Sequence, residues 1–143
     1  MVEVRQIEGR LITHYTVHDK RPAEPPLLEQ AVAQHKELFG RVPKVCATDK
    51  GFYSQQAVEK AAKSGVKQVC VPKKGRRNEA EEGRERSRWF KLAQAFRAGI
   101  EGTISVLKRV FGLRRCVREG WEHFQSWAGT GVLAHNLVLM ART

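Results

Sequence analysis

Aspartate is scarce in this chain, which has Asp19 and Asp49 and no others in 143 residues. Acids as a class are outnumbered, 15 against 26 lysines and arginines, for a net charge of +11. That imbalance favours a polyanionic partner, most simply nucleic acid, although a ribosomal-type or membrane-surface protein would share it. Cysteine is limited to Cys46, Cys70 and Cys116, odd in number, far apart and without a CxxC pair, which argues for buried thiols rather than a disulfide framework or a zinc site. No run approaches the 18 or so apolar residues of a membrane-spanning helix, and the start MVEVRQIEGR has no hydrophobic leader segment. The expectation is a soluble, cytoplasmic protein with no membrane partner. The length suits one domain, taken as residues 1–143, able to bury a core of its own.

The elements alternate in a regular order. VEVRQIEGRLITHYTVHD predicts two strands joined at Glu8-Gly9-Arg10, and KRPAEPP breaks the pattern. PLLEQAVAQHKELFG predicts a helix opened by proline and closed by Gly40, with Leu28, Val32, His35 and Phe39 on one face. KVCATD predicts a short buried strand; GFYS then leads into the helix QQAVEKAAKSG, for which Ser54 is the natural cap. VKQVCVP is a further strand, stopped by Pro72. A basic run (Lys73, Lys74, Arg76, Arg77) and the charged stretch NEAEEGRERSR follow, so that residues 73–88 read as a solvated linker or a short DNA-contacting insertion. Long helices are expected from about Trp89 to Phe111 and from about Gly120 to Ala141. The order β-β-α-β-α-β-α-α implies a mixed sheet with helices on its faces.

Two acids stand out. Asp49 ends the strand VCAT just before Gly51, at the carboxyl edge where α/β sheets collect ligand groups; the plainer alternative is a capping role. Glu101 is the single acid in a cationic stretch that holds Arg97, Lys108, Arg109, Arg114, Arg115 and Arg118. Helical spacing puts Arg97, Glu101, Ser105 and Lys108 on one face, beside the apolar stripe Ile100, Ile104, Leu107 and Phe111. Glu101 should therefore lie at the edge of the packed face. A simple Arg97–Glu101 pair worth about 0.2–0.5 kcal/mol would satisfy the same spacing.

ATDKGFYS, VKQVCVPKKG, RWFKLAQAFRAGIEGTISVLKRVFGL and the ending GVLAHNLVLMAR, in this order, resemble the catalytic core of bacterial insertion-sequence transposases of the DDE type, which are RNase H-like enzymes. The late family spacing Tyr-(2)-Arg-(3)-Glu-(6)-Lys is met at Arg97, Glu101 and Lys108, with Gln94 in place of the tyrosine. The resemblance implies an α/β, RNase H-like fold that cleaves and transfers DNA strands. It makes Asp49 the second and Glu101 the third acid of a triad that holds two Mg²⁺ or Mn²⁺ ions. Lys108 would face the scissile phosphate, and Arg97 would orient Glu101 or touch phosphate. The implied partners are double-stranded DNA at transposon ends and, in the complete protein, further copies of itself.

The family's first Asp lies on a central strand preceding the hairpin matched here by residues 3–18, so that strand and acid are expected to be missing from residues 1–143. Asp19, three strand spacings or roughly 14 Å from Asp49, would be too distant to replace it. The expectation is therefore a transposase catalytic domain lacking its first central strand, with a non-catalytic DNA-binding remnant as the alternative. A basic RNA-binding protein is a weaker third reading. Lys73, Lys74, Arg76, Arg77, Lys108 and Arg109 are the candidate phosphate contacts. The five histidines show no metal-ligand spacing, and Trp121, Phe124 and Trp127 read as core.

Overall fold

A computed structural model describes residues 1–117 and 119–142; Arg118, counted above among the cations, lies outside them. The elements are β1 (Val2–Gln6), β2 (Ile12–Val17), α1 (Glu24–Phe39), β3 (Val45–Ala47), α2 (Gln55–Lys63), β4 (Gln68–Cys70), α3 (Glu79–Arg86), α4 (Arg88–Arg109) and α5 (Trp121–Met140). Short 3-10 turns occupy Glu8–Arg10 and Lys50–Phe52. The fold is mixed α/β. The strands do not join in the single mixed sheet expected: among the described residues they form two separate pairs, β1–β2 and β3–β4. The hairpin closes on its own hydrogen bonds, and the parallel pair is only three residues deep. The chain divides into two compact units, Met1–Pro22 with Gly99–Thr143, and Ala23–Ala98.

In the first unit β1 and β2 pair antiparallel from Val2–Val17 to Arg5–His14, with a register shift before Gln6–Ile12. The turn between them needs left-handed backbone at Gly9 (φ 80°) and also at Arg10 (φ 66°), where a side chain makes it costly. α5 supports this corner. The Asn136 amide donates to Ile12 O (2.7 Å) while its oxygen accepts from the Ile12 amide (3.0 Å), and the His135 ring contacts Arg10 O at 3.2 Å. That is the structural work of the sequence AHN. Ile12, Leu107 and Val132 form the buried core, flanked by Val4, Phe111 and Leu113. Thr103, also buried, donates to Gln6 Oε1 at 2.6 Å. Trp121 is exposed rather than core, stacked on Phe124, which in turn meets Trp127.

The second unit is built on a β-α-β crossover. β3 and β4 run parallel in the register Val45–Gln68, Cys46–Val69 and Ala47–Cys70, as the alternation of elements implies. Ser54 caps α2 by accepting from the Ala57 amide at 3.0 Å, and Gly40 ends α1 in the left-handed conformation (φ 68°). Leu28 and Val32 of α1 pack with Ala57, Ala61, Val66, Val69 and Val71. Phe39 departs from the expected face: it is exposed and meets the His35 ring at 4.6 Å. Cys70, Phe90 and Ala93 form a second buried group beside Ala47 and Trp89, so the start of α4 covers β4. β3 is not the fully buried strand expected. Val45 is 44% exposed, because among the described residues β3 is paired along one edge alone. Within 73–88, residues Glu79–Arg86 fold as α3, started by a capping box between Asn78 and Glu81.

Candidate active site and basic loop

Asp49 leaves the end of β3 and immediately caps the turn that follows. Its Oδ1 accepts from the Gly51 amide at 2.7 Å, so the capping alternative holds for one oxygen, while Ser54 caps the helix. The other oxygen, Oδ2, faces Arg97 Nη2 at 3.8 Å, and the Asp49 side chain is 45% exposed. Such a partly solvated pair is worth at most about 1 kcal/mol. Asp49 and Arg97 line a cleft of about 290 Å³ together with Lys50, Pro72 and Gln94.

The reason for Gln94 lies in the strand ends. The Gln68 amide donates to Lys44 O (3.0 Å) and the Thr48 amide to Cys70 O (3.1 Å), so the next rung would run from residue 72 to Thr48 O. Residue 72 is proline and has no N–H. Gln94 Nε2 takes that place, donating to Thr48 O at 3.2 Å and also reaching Cys70 O (3.3 Å) and Cys70 Sγ (3.2 Å). Burial pushes the Cys70 thiol above its ordinary pKa, and the Gln94 contact pulls it back in part. Gln94 thus fastens both strand ends directly beside Asp49. A sequence reading sees it merely as a departure from the tyrosine of the family pattern, although it stands one helical turn before Arg97. A second side chain escaped it as well. A Cβ at Gly51 would overlap the Glu24 carboxylate and lie 3.0 Å from Asp49 Oδ1, so two acids flank this glycine.

Glu101, Lys108 and Arg109 belong to the hairpin unit and are exposed. Glu101 does not sit at the edge of the packed face as expected, since the buried side of α4 there is set by Thr103 and Leu107. Among the described residues no three His, Cys, Asp or Glu side chains gather as a metal-binding group. Asp49 Oδ2 by itself offers one anionic oxygen, within the one or two protein carboxylates that Mg²⁺ ordinarily takes.

The six candidate phosphate contacts differ in their surroundings. Lys74, Arg76, Lys108 and Arg109 are exposed. Lys73 Nζ is held by both Glu81 oxygens at 2.7 Å, and its amide donates to Glu85 Oε1 at 2.8 Å. Arg77 Nε meets Glu85 Oε2 at 2.8 Å. Two of the four loop cations are therefore already neutralised.

No helix among the described residues is long and apolar enough to cross a membrane. No curated protein and no solved structure matches the chain. Residues 6–137, by contrast, match the family model described as the transposase DDE domain. A match over that much of the sequence fixes the family, and the chain belongs to the transposase DDE domain family.

Proposed function

We propose that this chain serves DNA transposition by metal-dependent cleavage and transfer of duplex DNA strands, with Asp49 and Glu101 as the acids that hold Mg²⁺ or Mn²⁺. The family, whose members generally use divalent metal ions, supports a transposase role. The observation that carries the reading to particular residues is Asp49 itself. It stands at the carboxyl end of a parallel strand with one oxygen turned into a cleft beside a guanidinium. Two divalent ions in such a site activate the attacking water or hydroxyl and stabilise the leaving oxygen. Arg97 neutralises phosphate charge next to Asp49, while Gln94 keeps the strand ends fixed. Lys108 and Arg109, with Lys74 and Arg76, supply backbone contacts that position the duplex without reading its sequence. The complete transposase works as a homo-oligomer in this reading.

The test has a binding arm and a catalytic arm. With four exposed cations engaged, affinity for a mixed-sequence duplex should fall by roughly two orders of magnitude between about 50 and 200 mM salt. A flat profile would remove DNA from the reading. Mg²⁺- or Mn²⁺-dependent nicking of duplex DNA, lost in Asp49→Asn and in Glu101→Gln with DNA affinity kept, would support cleavage. Nicking that persists in both variants would reject these acids as the site. A second reading, DNA binding without cleavage, is favoured by the Arg97 contact, because a guanidinium beside Oδ2 suits an anionic ligand as well as it suits a carboxylate shared with metal. Salt-dependent binding with no nicking at all would select it.

A further inference from the structure

We propose that α3 is an electrostatic clasp for the basic loop: Glu81 and Glu85 hold Lys73 and Arg77 in place of DNA phosphate, so that a bound duplex engages Lys74 and Arg76 and reaches the full loop only when the two glutamates are neutralised. The inference rests on the DNA-binding reading above. It starts from a division within four neighbouring cations. Lys74 and Arg76 are exposed, whereas Lys73 is gripped by both oxygens of Glu81 and Arg77 by Glu85. A carboxylate presents the same paired anionic oxygens that a phosphate presents, and at the same hydrogen-bonding distances. The glutamates therefore compete with phosphate for the same two cations, and while seated they withhold Lys73 and Arg77 from a duplex.

The clasp lies at the surface. The side chains of Lys73 and Glu81 are each 23% exposed and that of Arg77 is 41% exposed, so the two cations lie within reach of a duplex once their glutamates are neutralised. The helix does not depend on the charge it lends. Asn78 caps α3 by accepting from the Glu81 amide at 2.8 Å, and the returning bond from the Asn78 amide to Glu81 can be made equally by glutamine. Glu85 also accepts from the Lys73 amide, which anchors the start of the loop. Lys74 and Arg76 make the first contacts in this scheme, and Lys73 and Arg77 join only once released.

The experiment compares duplex affinity across salt for the full chain and its variants. Glu81→Gln with Glu85→Gln should bind more tightly and steepen the salt dependence by about 1.8 in log–log slope, two further phosphates being neutralised. Its advantage over the parent should then shrink about tenfold between about 50 and 200 mM salt. Glu37→Gln with Glu79→Gln removes the same charge from two exposed acids and should leave the slope unchanged. In the parent, Lys74→Gln with Arg76→Gln should lower the slope, and Lys73→Gln with Arg77→Gln should not. Equal slopes for the parent and the Glu81/Glu85 variant would overturn the clasp, even were α3 to unravel, because unravelling frees the same two cations. A parent with no salt-dependent binding would instead defeat the DNA reading on which the clasp rests.

Discussion

Replacing Gln94 with leucine keeps the side-chain volume and the helix propensity of α4 but deletes both amide hydrogens. Cys70 O retains the Thr48 amide at 3.1 Å, whereas Thr48 O faces Pro72 and has no ladder donor to fall back on. One half-buried carbonyl left unsatisfied costs about 1–3 kcal/mol, and the weaker contacts to Cys70 add little. The expected loss is about 2 kcal/mol, or roughly 6–8 °C in Tm for a protein of this size. Urea unfolding with an unchanged m-value would read it directly. Leu92→Ala, at a 61% exposed position on the same helix, should stay within about 0.5 kcal/mol of the parent. Gln94→Glu supplies a sharper test. The introduced carboxylate would face two carbonyls and a thiol whose hydrogen is already given to Phe90 O, so its pKa in the folded state must rise. A raised pKa contributes stability below the unfolded value and forfeits it as pH climbs through the folded one. The variant should therefore lie nearest the parent in acid and fall away toward neutrality. Should Gln94→Leu prove as stable as the parent, Thr48 O has another donor and the strand-end argument is wrong.

Asn136→Ala strands both polar groups of Ile12 and should cost at least about 2 kcal/mol by the same assay, while Asn136→Asp, which can still accept from the Ile12 amide, should recover part of the loss. At Gly131 an added Cβ would stand 2.7 Å from the Leu113 side chain, so Gly131→Ala should destabilise by about 1–3 kcal/mol through overpacking, and pairing it with Leu113→Ala should relieve that clash. The Lys73 ammonium, with help from the Asn78 amide, holds the Glu81 carboxyl below its ordinary value of 4.5. A lowered folded pKa gives stability that is present above that ordinary value and lost as pH falls through the folded one. The Lys73–Glu81 tie should therefore weaken on acidification below the usual glutamate range, read as a fall in stability by urea unfolding with α3 kept, and Lys73→Gln should flatten that response.

The elements legible in the sequence are those whose signals are local. Gly40 and Ser54 end and start helices through their own backbone and side-chain chemistry, and the structure uses both as expected. The parallel pairing of β3 with β4 follows from a strand, a short helix and a strand in succession. What the sequence did not yield depends on partners distant in the chain. Phe39 shares a helical face with Leu28 and Val32 by spacing, yet lies beyond the reach of the core they join and stays exposed. Val45 belongs to an apolar run but has no strand on its outer edge among the described residues. α3 was hidden by its charge, because a helix without buried residues has no periodic apolar stripe, and its start is marked only by the Asn78–Glu81 box.

The candidate site shows the same division more sharply. Asp49 is conspicuous because an acid at a strand end is a local pattern, and Arg97 reaches it as a long side chain on a helix can. Gln94 is inconspicuous because its role is defined by a hydrogen that Pro72 lacks, an absence 22 residues away in sequence that shows only when the ladder is traced rung by rung. Charge misleads in the opposite direction. The run Lys73 to Arg77 reads as four equivalent cations, yet Glu81 and Glu85 divide them into two pairs by contacts across eight residues. Net charge states how strongly a chain can attract DNA. Which cations answer that attraction is decided by the carboxylates already seated on the others, and those are found by following each side chain to its partner.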